Sequence, residues 1–545
     1  MNSPLEYFLH WEKIMPNSVF LRQPKGDQWK TWTWLQAGGE IRRVAEYMNQ
    51  LQLPPHSHVA LLSKNCAHWI MADLAIMMSG HVSIPLYPTL SAETITQILD
   101  HSESKVIIIG KLDAYPLQQS GIPSTIKKIG ISAYGIEESE SWEGIVSKYP
   151  PAEKPVIPSP NDLMTIVYTS GTTGTPKGVM HVFNSFHMTV KVGNETVGFP
   201  IYPRLFSYLP LSHIAERIGI ETIGLYRGAQ FSFSESLETF PKNLVATQPN
   251  FFFAVPRIWA KFQEKILEKM PQRKLNRLLA IPIVGSIIKR TIRKKLGLNK
   301  CSLFFSGAAP LSPSLMEWWD SLGVTIYQVY GMTEDCVYAH FNRKGANKFG
   351  TVGKPLPGLK VKIAQDEEIR VKSDYMMRGY YKEPELTAAM FDEEGFLKTG
   401  DSGEIDSEGF LKIIGRVKDQ FKTDKGKYIS PSLIEMKLLG NTDIEQVCVV
   451  GMGIPQPIAL VVLSAAGKAK NKNEITESLS STLDTINPSL EPYEKLEAAV
   501  IMKKDWTQEN GLMTPTLKIK RNELEKIYVP NYLKWYYEQK KVLWE

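Results

Sequence analysis

Between His58 and Ile109 short apolar runs alternate with longer helical windows, a pattern that few architectures can absorb. His58-Val-Ala-Leu-Leu62 reads as a buried strand, Ala67 to Ser79 as an apolar helix and Val82-Ser-Ile-Pro-Leu86 as a strand. Ala92 to His101 reads as a second helix leading to the strand Lys105-Val-Ile-Ile-Ile109. Repeated strand-helix units predict an α/β chain with a doubly wound parallel sheet. Ligands in such sheets gather where strand ends meet loops, so the loops after strongly apolar strands are the places to search.

The 545 residues, at roughly 150 per domain, leave room for about two to four domains. No window approaches the roughly 18 uninterrupted apolar residues of a spanning helix. Met1 to Phe20 mixes Glu6, His10, Glu12 and Lys13 among its apolar residues, so it lacks the order of a signal peptide and reads as mature sequence. Four scattered cysteines, Cys66, Cys301, Cys336 and Cys448, suit neither a zinc site nor a disulfide framework and point to a reducing cytoplasm. The balance of 63 basic and 57 acidic residues leaves +6, too small an excess to argue for nucleic acid.

Five prolines between Pro150 and Pro160 give the composition of a domain linker. Directly after them the apolar strand Leu163-Met-Thr-Ile-Val-Tyr168 runs into Thr169-Ser-Gly-Thr-Thr-Gly-Thr-Pro-Lys-Gly178. Three glycines (Gly171, Gly174, Gly178) let backbone approach an anion closely, hydroxyls from Thr169, Ser170, Thr172, Thr173 and Thr175 can donate, and Lys177 adds a cation. That is phosphate chemistry. A Walker loop is excluded, because Pro176 precedes the lysine and Gly178 follows it.

This loop resembles the signature phosphate loop of the adenylate-forming superfamily of acyl-CoA synthetases, luciferases and peptide-synthetase adenylation domains. The resemblance continues in order through Leu209-Pro-Leu-Ser-His-Ile-Ala-Glu-Arg217, Ser306-Gly-Ala-Ala-Pro-Leu311, Tyr330-Gly-Met-Thr-Glu334, Thr399-Gly-Asp401, Gly415-Arg-Val-Lys418 and Pro515-Thr-Leu-Lys-Ile-Lys-Arg521, covering nearly the whole chain. Glu216-Arg217 matches its long-chain branch.

Roles follow as expectations. Glu334 supplies carboxylate oxygen to Mg2+ on the ATP phosphates and Thr333 reaches the α-phosphate; the competing reading is a helix N-cap. The resemblance implies that Tyr330, followed by Gly331, stacks on adenine beside Gly307, Ala308 and Ala309. Asp401 suits two ribose hydroxyls. Its rival is a hairpin-turn aspartate, because Glu394-Gly-Phe-Leu-Lys398 recurs as Glu408-Gly-Phe-Leu-Lys412. The family places Arg416 at ribose or phosphate, Lys418 at the hinge and His213 at the acyl pocket wall; a satisfied, partly buried histidine is the alternative for His213. Lys518, preceded by Leu517 where glycine is usual, is the lysine that the resemblance puts between substrate carboxylate and α-phosphate. Lys520 is its rival.

Lys261 to Lys300 carries twelve Lys/Arg against two Glu and includes the apolar run Leu278-Leu-Ala-Ile-Pro-Ile-Val284. Phe262, Ile266 and Met270 share one helical face. The segment reads either as an interfacial piece making peripheral contact with anionic lipid or as a solvated basic face. The resemblance implies a large N-terminal domain of α/β subdomains, 1–416, and a smaller α+β C-terminal lid, 417–545. The activity it implies is that of a long-chain fatty acyl-CoA synthetase: a fatty acid and ATP give acyl-adenylate, then coenzyme A takes the acyl group. Loading of a carrier protein, or silent lipid or nucleotide binding, are the rivals.

Overall fold

The computed structural model describes residues 1–170, 176–508, 510–514 and 518–545. Its largest sheet has the expected parallel core: Leu163–Ser170, Val82–Leu86, His58–Leu62, Val106–Ile109, Lys127–Gly130 and Glu140–Ser141, in that spatial order. The chain leaves His58–Leu62 for one neighbour and comes back to the other, the reversal that defines double winding. Pro176–Val182 and Gly379–Tyr380 extend the sheet antiparallel beyond Leu163–Ser170. The helix Ala67–Met78 is buried at every residue because it is apolar on all sides apart from His68 and Asp73.

The proline-rich stretch is not a linker between domains. Strands on either side of it, Val82–Leu86 and Leu163–Ser170, pair in one sheet. The Ala152 N–H donates to the Arg42 carbonyl and that of Val156 to the Met78 carbonyl, so the prolines lace across the same domain.

A second sheet sets Phe251–Phe253, Leu303–Ser306 and Ile326–Tyr330 parallel, and a third pairs Arg204–Ser207 with Gln230–Phe233. An antiparallel meander follows, Lys360–Ile363, Glu368–Lys372, Leu397–Ile405 and Leu411–Arg416. The duplicated pentapeptides are two copies of one turn. Asp392 accepts from the N–H groups of Glu394 and Phe396, as Asp406 does from Glu408 and Phe410. Gly395 and Gly409 supply the left-handed residue at φ 77° and 84°.

The buried apolar clusters divide between Ile413 and Phe421. Beyond that point Ile444–Val450, Ile458–Leu463, Ala499–Ile501 and Val542–Trp544 form a separate mixed sheet, making a smaller C-terminal domain. Ser430 precedes the helix Pro431–Leu438 without a capping bond from its side chain; instead its Oγ accepts from Gln420. The C-terminal domain meets the larger one at the helix Pro256–Lys269. Arg257 pairs with Glu445, Lys261 lies 3.8 Å from the same carboxylate, and Glu264 accepts from the Ala466 N–H at 3.3 Å. The four cysteines are unpaired and buried. Among the described residues no helix is long and apolar enough to cross a membrane.

Candidate active site

The site lies where strand ends of the large domain face the C-terminal domain. Leu163–Ser170 and Pro176–Val182 form a hairpin in which Thr169 pairs with Lys177 and Ser170 with Pro176. Gly171, Thr172, Thr173 and Gly174, which come between these strands in sequence, fall outside the described residues. Lys177 Nζ stands 5.7 Å from the ring centroid of Tyr380.

After the strand Ile326–Tyr330 the chain makes a tight turn rather than a helix, which removes the helix-cap reading of Thr333 and Glu334. Asp335 Oδ1 accepts from the Met332 N–H at 2.9 Å, and Cys336 and Val337 take φ near 57° and 58°. Gly331 is required here: a Cβ would stand 2.8 Å from the Val337 Cα. Two residues that sequence reasoning missed hold this turn. Tyr380 OH donates to Glu334 Oε1 at 2.7 Å, and His181 Nε2 lies 2.8 Å from the Thr333 carbonyl. Burial pushes His181 down to about 4, so the ring is neutral and its Nε2–H is the donor. Neither carries a local signal, because each meets its partner only through tertiary folding. Burial also pushes Asp335 up to about 8.

Asp401 sits within Leu397–Ile405, opposite Arg416 in the register of the neighbouring strand, so it is not a turn aspartate. Its Oδ1 accepts from Arg416 Nε at 2.8 Å and its Oδ2 from Tyr330 OH at 2.7 Å. Burial raises the Asp401 pKa, against the opposing pull of Arg416 and Tyr330. Gly307 packs against the Tyr330 strand, where a Cβ would come within 2.9 Å of Val329 Cγ2. Ala308 beside it takes φ 65°, a conformation L-residues seldom adopt, and with Ala309 is exposed.

His213 precedes the short helix Ile214–Glu216 and its Nδ1 accepts from the Ala215 N–H at 3.2 Å. Burial, with the Lys518 charge adding to it, pushes His213 down to about 4. Glu216 accepts from Ser207 Oγ at 2.9 Å and the Tyr208 N–H at 3.0 Å, and burial pushes it up to about 8. Arg217, fully buried, grips Asp73 through two bonds of 2.6 and 2.7 Å and also donates to Thr165 Oγ1 at 2.5 Å. It thereby ties the His213 segment to the strand beneath the phosphate loop.

Lys518 comes from the C-terminal domain. Its N–H donates to Thr514 Oγ1 at 3.0 Å and its carbonyl accepts from the Thr514 N–H at 2.8 Å. Its side chain remains solvent-accessible, although protein crowds around it. That crowding lowers its pKa, Arg416 lowers it further, and Asp401 and Glu334 oppose the shift. Lys518 thus comes within electrostatic reach of Arg416, Asp401, Glu334 and His213. The Lys520 charge acts on Glu523 of the helix Arg521–Tyr537.

A family model described as AMP-binding enzyme matches residues 8–381, and one described as AMP-binding enzyme C-terminal domain matches 418–540. The chain belongs to the AMP-binding enzyme family. Long-chain-fatty-acid--CoA ligase FadD15 of Mycobacterium bovis is 26% identical over 569 residues, covering 94% of this chain and 93% of the relative. Long-chain-fatty-acid--CoA ligase 1 of Homo sapiens is 28% identical over 594 residues, covering 96% and 85%. Among solved structures, the anthranilate CoA ligase AuaEII in complex with anthranoyl-AMP superposes with a TM-score of 0.79 at 20% identity, covering 96% of this chain and 97% of that one. The A domain of a carboxylic acid reductase from Segniliparus rugosus gives 0.80 at 20% identity, covering 98% and 94%. These two share the fold. This AMP-binding enzyme is an AMP-forming ligase of the acyl-CoA synthetase type.

The residues of the cleft fit a magnesium ion that arrives with nucleotide phosphates. Glu334 Oε2 makes no protein hydrogen bond among the described residues, and no group of three or more His, Cys, Asp or Glu forms a resident cage there. Magnesium is commonly held by one or two carboxylates plus phosphate and water.

Proposed function

We propose that this enzyme activates a fatty acid of medium to long chain and transfers it to coenzyme A. A carboxylate oxygen attacks the α-phosphorus of ATP and the bond to pyrophosphate breaks; the coenzyme A sulfur, having lost its proton, then attacks the acyl carbonyl and AMP leaves. The observation that carries this reading is that Lys518, from one domain, comes within electrostatic reach of Asp401, Glu334, Arg416 and His213 from the other. A point cation there suits the charge that builds between carboxylate and α-phosphate.

In this reading residues 1–416 form the body and 417–545 the lid. Each Asp401 oxygen keeps a lone pair for a ribose hydroxyl while Arg416 and Tyr330 hold the carboxylate still. The Tyr330 ring, beside Gly307, Ala308 and Ala309, offers a face to adenine. Thr169, Ser170, Gly171, Thr172, Thr173, Gly174 and Lys177 cradle phosphate, and Thr333 turns to the α-phosphate. Glu334, oriented by Tyr380, would hold magnesium, whose charge offsets that of the phosphates when bound. A His213 ring kept neutral suits an acyl pocket wall.

The preference for a fatty acid rests on the relatives named as long-chain-fatty-acid ligases. Pyrophosphate release is measured with acids from acetate to oleate, with and without coenzyme A. The expected outcome is adenylation that improves with chain length and multiple turnovers only when coenzyme A is present. Turnover that needs a carrier protein instead makes the protein an acyl-AMP ligase, and absence of ATP-dependent release with every acid makes it a silent binder.

A further inference from the structure

The basic segment folds as three helices, Pro256–Lys269, Gln272–Leu279 and Pro282–Lys295, each break marked by proline. Their apolar residues divide into two sets. Phe262, Leu275 and Ile292 are buried, and with Ile266, Met270 and Ile288 they pack into a core shared with Phe206, Phe252 and Phe304. Ile281, Ile283 and Ile287 do not join it; they are 51%, 76% and 59% exposed. Ile283 and Ile287 lie one turn apart, on the side of their helix away from Ile288 and Ile292. Gly285 lets this helix close tightly on the preceding one, where a Cβ would stand 2.8 Å from the Leu279 carbonyl oxygen.

Beyond the first helix the segment itself carries one sign of charge. From Pro271 to Lys300 the sequence has no Asp or Glu, and Arg273, Lys274, Arg277, Arg290, Lys294 and Lys295 are exposed. Arg290 and Lys294 continue the Ile283–Ile287 face by helical spacing. The ion pairs of these three helices, among the described residues, stop at Lys261. A basic face meant only for solvent has no need of three exposed isoleucines at its tip, and a nucleic-acid face would use the cations alone. Exposed isoleucines on a segment with exposed cations match a bilayer, whose acyl boundary takes the apolar tip while acidic headgroups take the cations.

We infer that the tip Ile281–Ile287 and its basic surround dock this enzyme on an anionic lipid surface. The helices' inner faces rest on the strands Arg204–Ser207 and Leu303–Ser306, which run on toward His213 and Gly307. Docking would therefore hold the site's own subdomain against the surface from which an apolar acid partitions. The docking itself does not depend on which acid is used, and its test reads binding rather than turnover.

The full chain is sedimented with vesicles of phosphatidylcholine, alone or containing phosphatidylglycerol. Wild type is expected in the pellet with anionic vesicles only, and less so as salt is raised. The double substitution Ile283→Asp/Ile287→Asp, and separately Arg273→Glu/Lys274→Glu, should each lower the bound fraction by about tenfold. Both variants should keep the wild-type melting temperature and pyrophosphate exchange with a short water-soluble acid, since neither pair belongs to the site. Equal pelleting with neutral and anionic vesicles overturns the proposal, as does unchanged binding by the isoleucine variant. Binding to duplex RNA that is tighter than to vesicles and indifferent to the isoleucines would also overturn it, in favour of a polyanion face.

Discussion

The hydroxyl of Tyr380 donates to Oε1 of Glu334 across 2.7 Å, though 46 residues separate them in the chain. That bond occupies Oε1 and leaves Oε2 without a hydrogen bond among the described residues. Glu334→Gln should keep the bond and the size while removing the charge that holds a hard cation, so the magnesium needed for half-maximal pyrophosphate exchange rises by about tenfold. Tyr380→Phe should raise it less, because the charge remains and only its orientation loosens. A magnesium titration that neither substitution moves would reduce Glu334 to a structural role.

Lys518→Ala should stop acyl-adenylate formation, by about a hundredfold or more, while a supplied acyl-adenylate still becomes thioester. Its ammonium is within electrostatic reach of Arg416, Asp401, Glu334 and His213, and the proposed mechanism needs its charge at the phosphoryl step. Lys520→Ala, whose charge acts on Glu523, is the control and should be close to wild type. Equal losses in both half-reactions would sink the assignment.

Lys418 lies in the short 3-10 turn Val417–Asp419 between the last strand of the large domain and the C-terminal domain. If that turn is the pivot for a second pose serving thioester transfer, Lys418→Pro should adenylate normally and fail at transfer, since proline fixes φ near −65°. Wild-type rates for both steps would remove the pivot from this position. Loss of both with a lowered melting temperature would indicate misfolding.

Glu445 bears on the opposite step. It pairs with Arg257 and stands 3.8 Å from Lys261, so it helps hold the C-terminal domain where Lys518 meets the cleft. Glu445→Lys sets three cations together and should slow adenylation severalfold, with little effect on transfer from a supplied acyl-adenylate. Rates measured separately for the two half-reactions check this, and a matching fall in both would count against a pose-specific role.

Glu216 makes stability depend on pH. Burial raises it from an ordinary value of 4.5 to about 8, against the pull of hydrogen bonds from Ser207 and Tyr208. The folded state therefore binds the extra proton, and the stability this contributes is complete below pH 4.5 and lost as pH rises through 8. Asp335 has the same sign. His213 and His181, pushed down to about 4, act with opposite sign and only below 6.5. From pH 6.5 to 8 the unfolding free energy should fall, and Glu216→Gln should flatten that fall by up to about 1.4 kcal/mol per pH unit. An unaltered profile would mean that Glu216 is ionised in the folded protein.

Much of the architecture was legible locally. Three of the five expected spans in the first sheet end within one residue of the observed elements and two coincide with them, because continuous apolar runs have few places to go in a parallel sheet. The prolines of 150–160 misled because proline composition reports a broken backbone, and only the pairing of Val82–Leu86 with Leu163–Ser170 says that both sides belong to one domain. The stripe Phe262, Ile266 and Met270 turned out to face the core, whereas the apolar run that follows splits, with Ile281 and Ile283 left outside. Periodicity finds a face but does not say what covers it.

From its order of residues alone the chain determined its α/β class, the strand that enters the phosphate loop and the set of polar residues from which a site could be built, since each depends on neighbours close in sequence. Tertiary structure decided the rest. It brought Lys518 within electrostatic reach of Arg416, Asp401 and Glu334, set Asp401 between Arg416 and Tyr330, gave Glu334 and Thr333 their supports in Tyr380 and His181, and buried Arg217 against Asp73. Those relationships join residues many tens of positions apart. Their energies come from burial and from geometry across elements, which exist only once the sheets and the two domains have packed.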